Sequence, residues 1–138
     1  LGKFDSSIST MKLQKLVFFS QGWSLAMLDE PLFESPFEAW ANGPVSYELF
    51  ALHRGEWAVS SWRAGDPAMV RGSKKIVIDA AIKNYGTLSG REMSELTHLP
   101  GTPWDEARRR SGATDRQRSN ALIEQDEMRK YFKTALGV

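Results

Sequence analysis

One eight-residue run, Glu38-Ala39-Trp40-Ala41-Asn42-Gly43-Pro44-Val45, limits what this chain can fold into. Gly43 and Pro44 together are expected to make a turn. Glycine opens backbone angles closed to other residues, while proline locks its own φ and removes a donor. Trp40 and Val45 flank the turn with apolar bulk, so the corner is expected to be tied to a hydrophobic core. A helical run, Met11-Lys12-Leu13-Gln14-Lys15-Leu16, precedes it, and a second turn-rich block, Leu96-Thr97-His98-Leu99-Pro100-Gly101-Thr102-Pro103-Trp104, comes later. No catalytic signature accompanies either block, and the pair points to binding a partner protein rather than turning over a substrate.

The rest of the chain reads as helices. Thr10 is expected to cap a helix reaching about Met27, with Leu13, Leu16, Val17, Ser20, Trp23, Ser24 and Met27 on one face. Phe18, Phe19 and Leu25 widen that face, so this helix is expected to be buried on more than one side. Gly22 in its middle costs about 1 kcal/mol relative to alanine, which implies close approach of another element. Pro31-Leu32-Phe33 and Phe37-Glu38-Ala39-Trp40 read as the two strands of a small hairpin. Ser46 caps a short helix from Tyr47 to about Arg54, stopped by Gly55. Residues 55–72 read as a loop holding Trp57 and Trp62, with one strand around Ala58–Trp62. A helix from Ser73 or Lys74 to Tyr85 turns Ile78, Ala81, Ile82 and Tyr85 inward.

The sharpest local signal is Ser89-Gly90-Arg91-Glu92, a capping box, with Leu88 and Met93 as its hydrophobic staple. That helix ends near His98. Thr102 and Pro103 start the next, since proline suits the first helical position, and it carries Trp104 to about Arg110. Ser111–Arg118 is a polar loop. Asn120 or Ser119 is expected to cap the last helix, with Met128, Tyr131, Phe132 and Ala135 on one face. The expectation is a single, mainly α domain over residues 1–138, compact, with about five to six helices and a small β-hairpin.

Several chemistries lose their footing in the residue inventory. The chain has no cysteine, which removes disulfides, thiolate metal sites and cysteine nucleophiles and fits a reducing, cytoplasmic setting. No apolar run approaches the roughly 20 residues a spanning helix needs. A formal net charge of +1 gives no global field for nucleic acid or an anionic membrane. Ser9-Thr10-Met11-Lys12 fits a bare S-x-x-K pattern, but the further elements that such acylases need are missing, and a helix start explains it. His53 and His98 stand alone, short of the clustered ligands of a zinc site; His98 near a helix end reads as a structural partner or a favourable cation at the negative terminus. Neither nucleotide-binding glycine pattern occurs. Neither a cofactor nor a metal is expected.

Two clusters remain as candidate contact surfaces. Arg108, Arg109 and Arg110 open an arginine-rich stretch that also holds Arg116 and Arg118. It reads as a solvated helix end complementing the dipole, as a surface for an acidic partner protein, or as a nucleic-acid contact, the last without any recognised motif. Trp57 and Trp62 read as anchors of an irregular loop or as interface residues, tryptophan and arginine being enriched at binding hot spots. Trp23, Trp40 and Trp104 read as core.

The run from Met11 to Trp23, the segments Pro31–Phe33 and Glu38–Val45, and Leu88-Ser89 leading into Glu95–His98 and Pro103-Trp104 resemble the Panacea-domain, SocA-like antitoxin family. The likeness covers about residues 10–107, and Ile123–Leu136 is similar to the family's closing helix. The structural motif it carries comprises Gln14, Lys15, Leu16, Trp23, Trp40, Gly43, Pro44, Val45, Thr97, His98, Pro103 and Trp104. Two departures stand out: Ala41-Asn42 occupies the usual Lys-Tyr position, and Phe18-Phe19 replaces an aromatic pair with tyrosine. The resemblance implies a small bacterial, phage or prophage protein encoded beside a toxin and neutralising it by direct binding. One branch instead delivers its toxin to a cytosolic protease. A DNA-binding regulator is the remaining alternative. The resemblance assigns no catalytic residue, and the expectation is a binding protein, not an enzyme, with Trp57, Trp62, Arg108, Arg109 and Arg110 at the contact.

Overall fold

The structure is a computed structural model that describes residues 8–34, 36–52, 58–59, 72–113 and 119–138. In chain order the elements are β1 (Ile8–Ser9), α1 (Thr10–Leu28), β2 (Phe37–Trp40), β3 (Gly43–Ser46), α2 (Tyr47–Leu52), β4 (Ala58–Val59), α3 (Gly72–Tyr85), α4 (Gly90–Thr97), α5 (Pro103–Ser111), β5 (Leu122–Ile123) and α6 (Gln125–Leu136). The architecture is mainly α, as expected, with a three-stranded antiparallel sheet in the order β3-β2-β5 and a two-stranded pair of β1 with β4.

Helix α1 is the axis. Every residue from Leu13 to Ala26 except Val17 is buried, including the polar side chains of Gln14, Lys15, Ser20, Gln21 and Ser24. A helix hydrophobic all round packs on every side, and α1 touches α3, α4, α6 and β3. Ser9, not Thr10, is its cap: Lys12 N donates to Ser9 Oγ at 3.0 Å. This also disposes of the S-x-x-K pattern as chemistry, because the serine oxygen is spent on a helix terminus. Gly22 meets the expectation of close approach, since a Cβ there would lie 2.2 Å from the Phe132 ring of α6. That ring is fixed edge-on against Phe18, Phe19 and Tyr131.

The hairpin is real, but its second strand differs from the expected one. β2 pairs with β3, with Glu38 opposite Val45 and Trp40 opposite Gly43, around the two-residue turn Ala41-Asn42. Gly43 and Pro44, expected to make the turn, instead open β3: Gly43 takes a φ of 124°, and Pro44 sits in the edge strand, where a missing N–H breaks no ladder. Pro31–Phe33 forms no strand because a side chain, not a strand, satisfies it. Gln21 Nε2 donates to Phe33 O at 2.9 Å, and Leu32 N donates to Gln21 Oε1 at 2.7 Å.

Helix starts and stops follow local chemistry. Both arms of the Ser89–Glu92 capping box are present, at 3.0 and 2.9 Å. Thr102 caps α5 with Pro103 in its first turn, and Gly112 closes it in the left-handed region. The close of the chain corrects the sequence reading. β5 intervenes, and α6 starts after Glu124 with no side-chain cap in place of Ser119 or Asn120. Met128 and Phe132 are buried as expected, but Ala135 is exposed and Leu136 packs in its stead. In α3, Val77 and Ala81 are buried while Ile78, Ile82 and Tyr85 are half-buried. No described helix is long and apolar enough to cross a membrane, and no metal-ligating cluster occurs among the described residues.

Candidate functional site: a clamped hairpin and its aromatic groove

Six main-chain carbonyls of the β2–β3 hairpin face side chains from the surrounding helices. Arg108 Nη1 donates to Ala39 O at 3.0 Å, and Trp104 Nε1 donates to Trp40 O at 2.6 Å. His98 Nε2 lies 3.2 Å from Ala41 O, and Ser94 Oγ donates to Asn42 O at 2.8 Å. Lys15 Nζ donates to Pro44 O at 3.2 Å. Gln14 acts as a surrogate strand on Ser46, giving Nε2 to its carbonyl at 3.1 Å and taking its N–H at 2.9 Å. The outer edge of β3 is thereby closed by α1 rather than left as a template for another chain.

Most of the motif residues named from the sequence therefore serve one task, fixing the hairpin. Leu16 and Trp23 sit in the core, and Val45 is buried on β3. Thr97 packs under the turn: a Cβ on Gly43 would come within 3.3 Å of its Oγ1 and 2.7 Å of Lys15 Cε, so the glycine makes room for both. His98 closes α4, its Nδ1 2.6 Å from Ser94 O, and its ring lies 3.9 Å from that of Trp104, fitting the structural role expected for it. Pro103 and Trp104 are buried.

Lys15 is the electrostatic oddity. It is 2% exposed, Pro44 O is its single hydrogen-bond partner among the described residues, and no carboxylate pairs with it. Removal from water disfavours the ammonium and pulls its pKa from 10.5 down to about 8.

The opposite side of the hairpin is open. Trp40, Tyr47 and Phe50 form an aromatic cluster, with ring centroids 5.0 Å apart for Trp40–Phe50 and 6.4 Å for Trp40–Tyr47. Trp40 is half-buried rather than core, which corrects the sequence reading, and Tyr47 is 47% exposed. Beside them runs a groove of about 580 Å³ lined by Glu38, Trp40, Ala41, Asn42, Val45, Tyr47, Ser119 and Asn120. Glu38 Oε1 accepts the Trp40 indole N–H at 3.0 Å, which orients both side chains. Sequence reading missed this site. Glu38 and Tyr47 lie on opposite sides of the turn in the chain, and Ser119–Asn120 arrives with β5 from far downstream.

The three consecutive arginines part company. Arg108 is 4% exposed, with its guanidinium 5.1 Å from the Trp104 ring centroid. It is a strut of the hairpin clamp, which removes it from the candidate contact surface. Successive helical residues point about 100° apart, so one of three adjacent side chains on a packed helix turns inward. Arg109 and Arg110 are exposed; Arg109 pairs with Asp105 at 3.3 Å and Arg110 with Glu127 at 2.6 Å. The Glu127 contact holds the Arg110 guanidinium more firmly charged. Trp57 and Trp62 lie outside the described residues.

Comparison with known proteins fits this arrangement. The family model of the antitoxin SocA-like Panacea domain matches residues 13–105, a stretch running from α1 through the hairpin to the start of α5. Antitoxin SocA of Caulobacter vibrioides (strain NA1000 / CB15N) is 30% identical over 115 residues, covering 73% of this chain. The chain spans 60% of the length of that relative. No solved structure matches it. The matched region contains every hairpin-clamping residue except Arg108, and on that match the chain belongs to the SocA-like, Panacea-domain antitoxin family.

Proposed function

We propose that this protein is the antitoxin of a toxin–antitoxin pair and that it neutralises its toxin by direct binding, using a preformed surface around the hairpin. The observation that carries the reading is the half-exposed Trp40–Tyr47–Phe50 cluster beside a rigidly held hairpin, in a chain of an antitoxin family. Aromatic anchors on a preorganised frame lose little entropy on docking. A stable complex covers on the order of 800 Å² on each partner, about a tenth of the 8448 Å² that this chain exposes. The groove is the centre of such a footprint. Trp57, Trp62, Arg109 and Arg110 are proposed as further contacts, on the hot-spot preference for these residue types.

The test is to express the neighbouring open reading frame alone and then with this chain. Growth arrest relieved by co-expression, with a complex recovered on purification, supports the proposal. A harmless neighbour, or rescue without any complex, refutes it. The same assay in a strain lacking its cytosolic proteases separates occlusion from delivery. Relief that persists is inhibition by occupancy, and relief that disappears is adaptor activity.

A further inference from the structure

We propose that the aromatic groove receives an arginine side chain presented by the toxin, its guanidinium lying against the Trp40 and Tyr47 rings and its N–H groups on the Glu38 carboxylate. The partner's identity rests on the antitoxin reading above; the chemistry of the pocket rests on the groove itself. Glu38 is the one charged residue among the described residues that line it. Its Oε1 is engaged by the Trp40 indole, while Oε2 makes no hydrogen bond or ion pair among the described residues. A carboxylate held by one oxygen beside two aromatic faces is a site for a cation. It repels phosphate and carboxylate, which favours a basic group over nucleic acid or an acidic peptide.

Arginine fits better than lysine for three reasons. The planar guanidinium stacks on aromatic rings, it carries forked N–H donors for a carboxylate, and it sheds water more readily than an ammonium. Among the described residues the rim supplies neutral polar groups, Asn42, Ser119 and Asn120, which suit the remaining N–H donors and the partner's main chain. The receiving surface is preformed, since Trp104 and Ser94 hold the carbonyls of Trp40 and Asn42. Little ordering cost then remains on the antitoxin side.

The variant Glu38→Gln keeps an acceptor for the Trp40 indole and removes only the charge, and Tyr47→Ala removes one aromatic face. Two probes are used. The first is an oligoarginine peptide, with oligolysine, oligoglutamate and oligothymidylate as comparators, read by the NMR shift of the Trp40 indole N–H. The second is the polypeptide encoded by the neighbouring gene, read by calorimetry. Oligoarginine is expected to move the Trp40 signal more than any comparator. Glu38→Gln is expected to weaken both the peptide and the polypeptide by about tenfold, a loss that shrinks as salt is raised. The proposal is overturned if oligothymidylate or oligoglutamate moves Trp40 more than oligoarginine does. Wild-type affinity of both folded variants for the polypeptide overturns it equally, and would leave the antitoxin reading standing. A neighbour that does not bind the wild type removes the antitoxin reading, while the peptide titration still decides what the groove takes.

Discussion

Lys15 should make this protein more stable in mild alkali than at neutrality. The native pKa of about 8 lies below the 10.5 of the unfolded chain, so the unfolded state binds more protons between those values. Stability therefore rises with pH across that window and is lost as pH falls back through the native value. The full difference is worth on the order of 3 kcal/mol, with about 1 kcal/mol appearing between roughly pH 7 and 9 and most of the rest by about pH 10. Other groups titrate there too, so the clean measurement is a difference against Lys15→Met. Near neutrality, methionine escapes the cost of burying an ammonium but leaves Pro44 O unpaired, and these offset to within about 1–2 kcal/mol. Urea unfolding of both proteins at several pH values should show the wild type gaining on the variant by about 2–3 kcal/mol from neutral to about pH 10. A gap that stays flat across the range would mean that Lys15 keeps its ordinary pKa and that the burial argument is wrong.

Gly22→Ala gains about 1 kcal/mol of helix propensity but drives a methyl into a Phe132 ring held by its neighbours, so a net loss of about 1–2 kcal/mol is expected in thermal unfolding. A more stable variant would show that α6 can shift. Arg108→Ala strips the Ala39 carbonyl of its donor and Trp104 of its neighbour, and should cost about 2–4 kcal/mol, whereas Arg109→Ala should fall within about 0.5 kcal/mol of wild type. Equal losses from the two would contradict the inward placement of Arg108. Ser89→Ala should cost about 1 kcal/mol by chemical denaturation through loss of the capping box, and no loss would mean that α4 is held by packing alone.

What could be read from the sequence was what a few adjacent residues decide. Ser89 with Glu92, and Thr102 with Pro103, announce helix starts because donor and acceptor lie within one turn. Gly22 announced a close contact because glycine in a helix interior has a cost that needs an offsetting reason. Choices made between distant segments were not legible. Pro31–Phe33 has strand-like composition, but Gln21 satisfies it, and nothing in the pattern marks a glutamine as a substitute strand. Which of Arg108, Arg109 and Arg110 faces inward depends on where Ala39 sits, which belongs to another element altogether. The groove was invisible for the same reason, since its walls come from the hairpin, the start of α2 and the approach to β5.

The grip on the hairpin falls on main-chain oxygens, which every amino acid carries alike. Ala41 and Asn42, at its tip, are thus restrained without being identified by the groups that hold them. Their side chains can be rewritten without disturbing the mounting. A scaffold of this kind separates its architecture from its vocabulary: a few displayed positions can be edited while the helices that carry them go on folding unchanged.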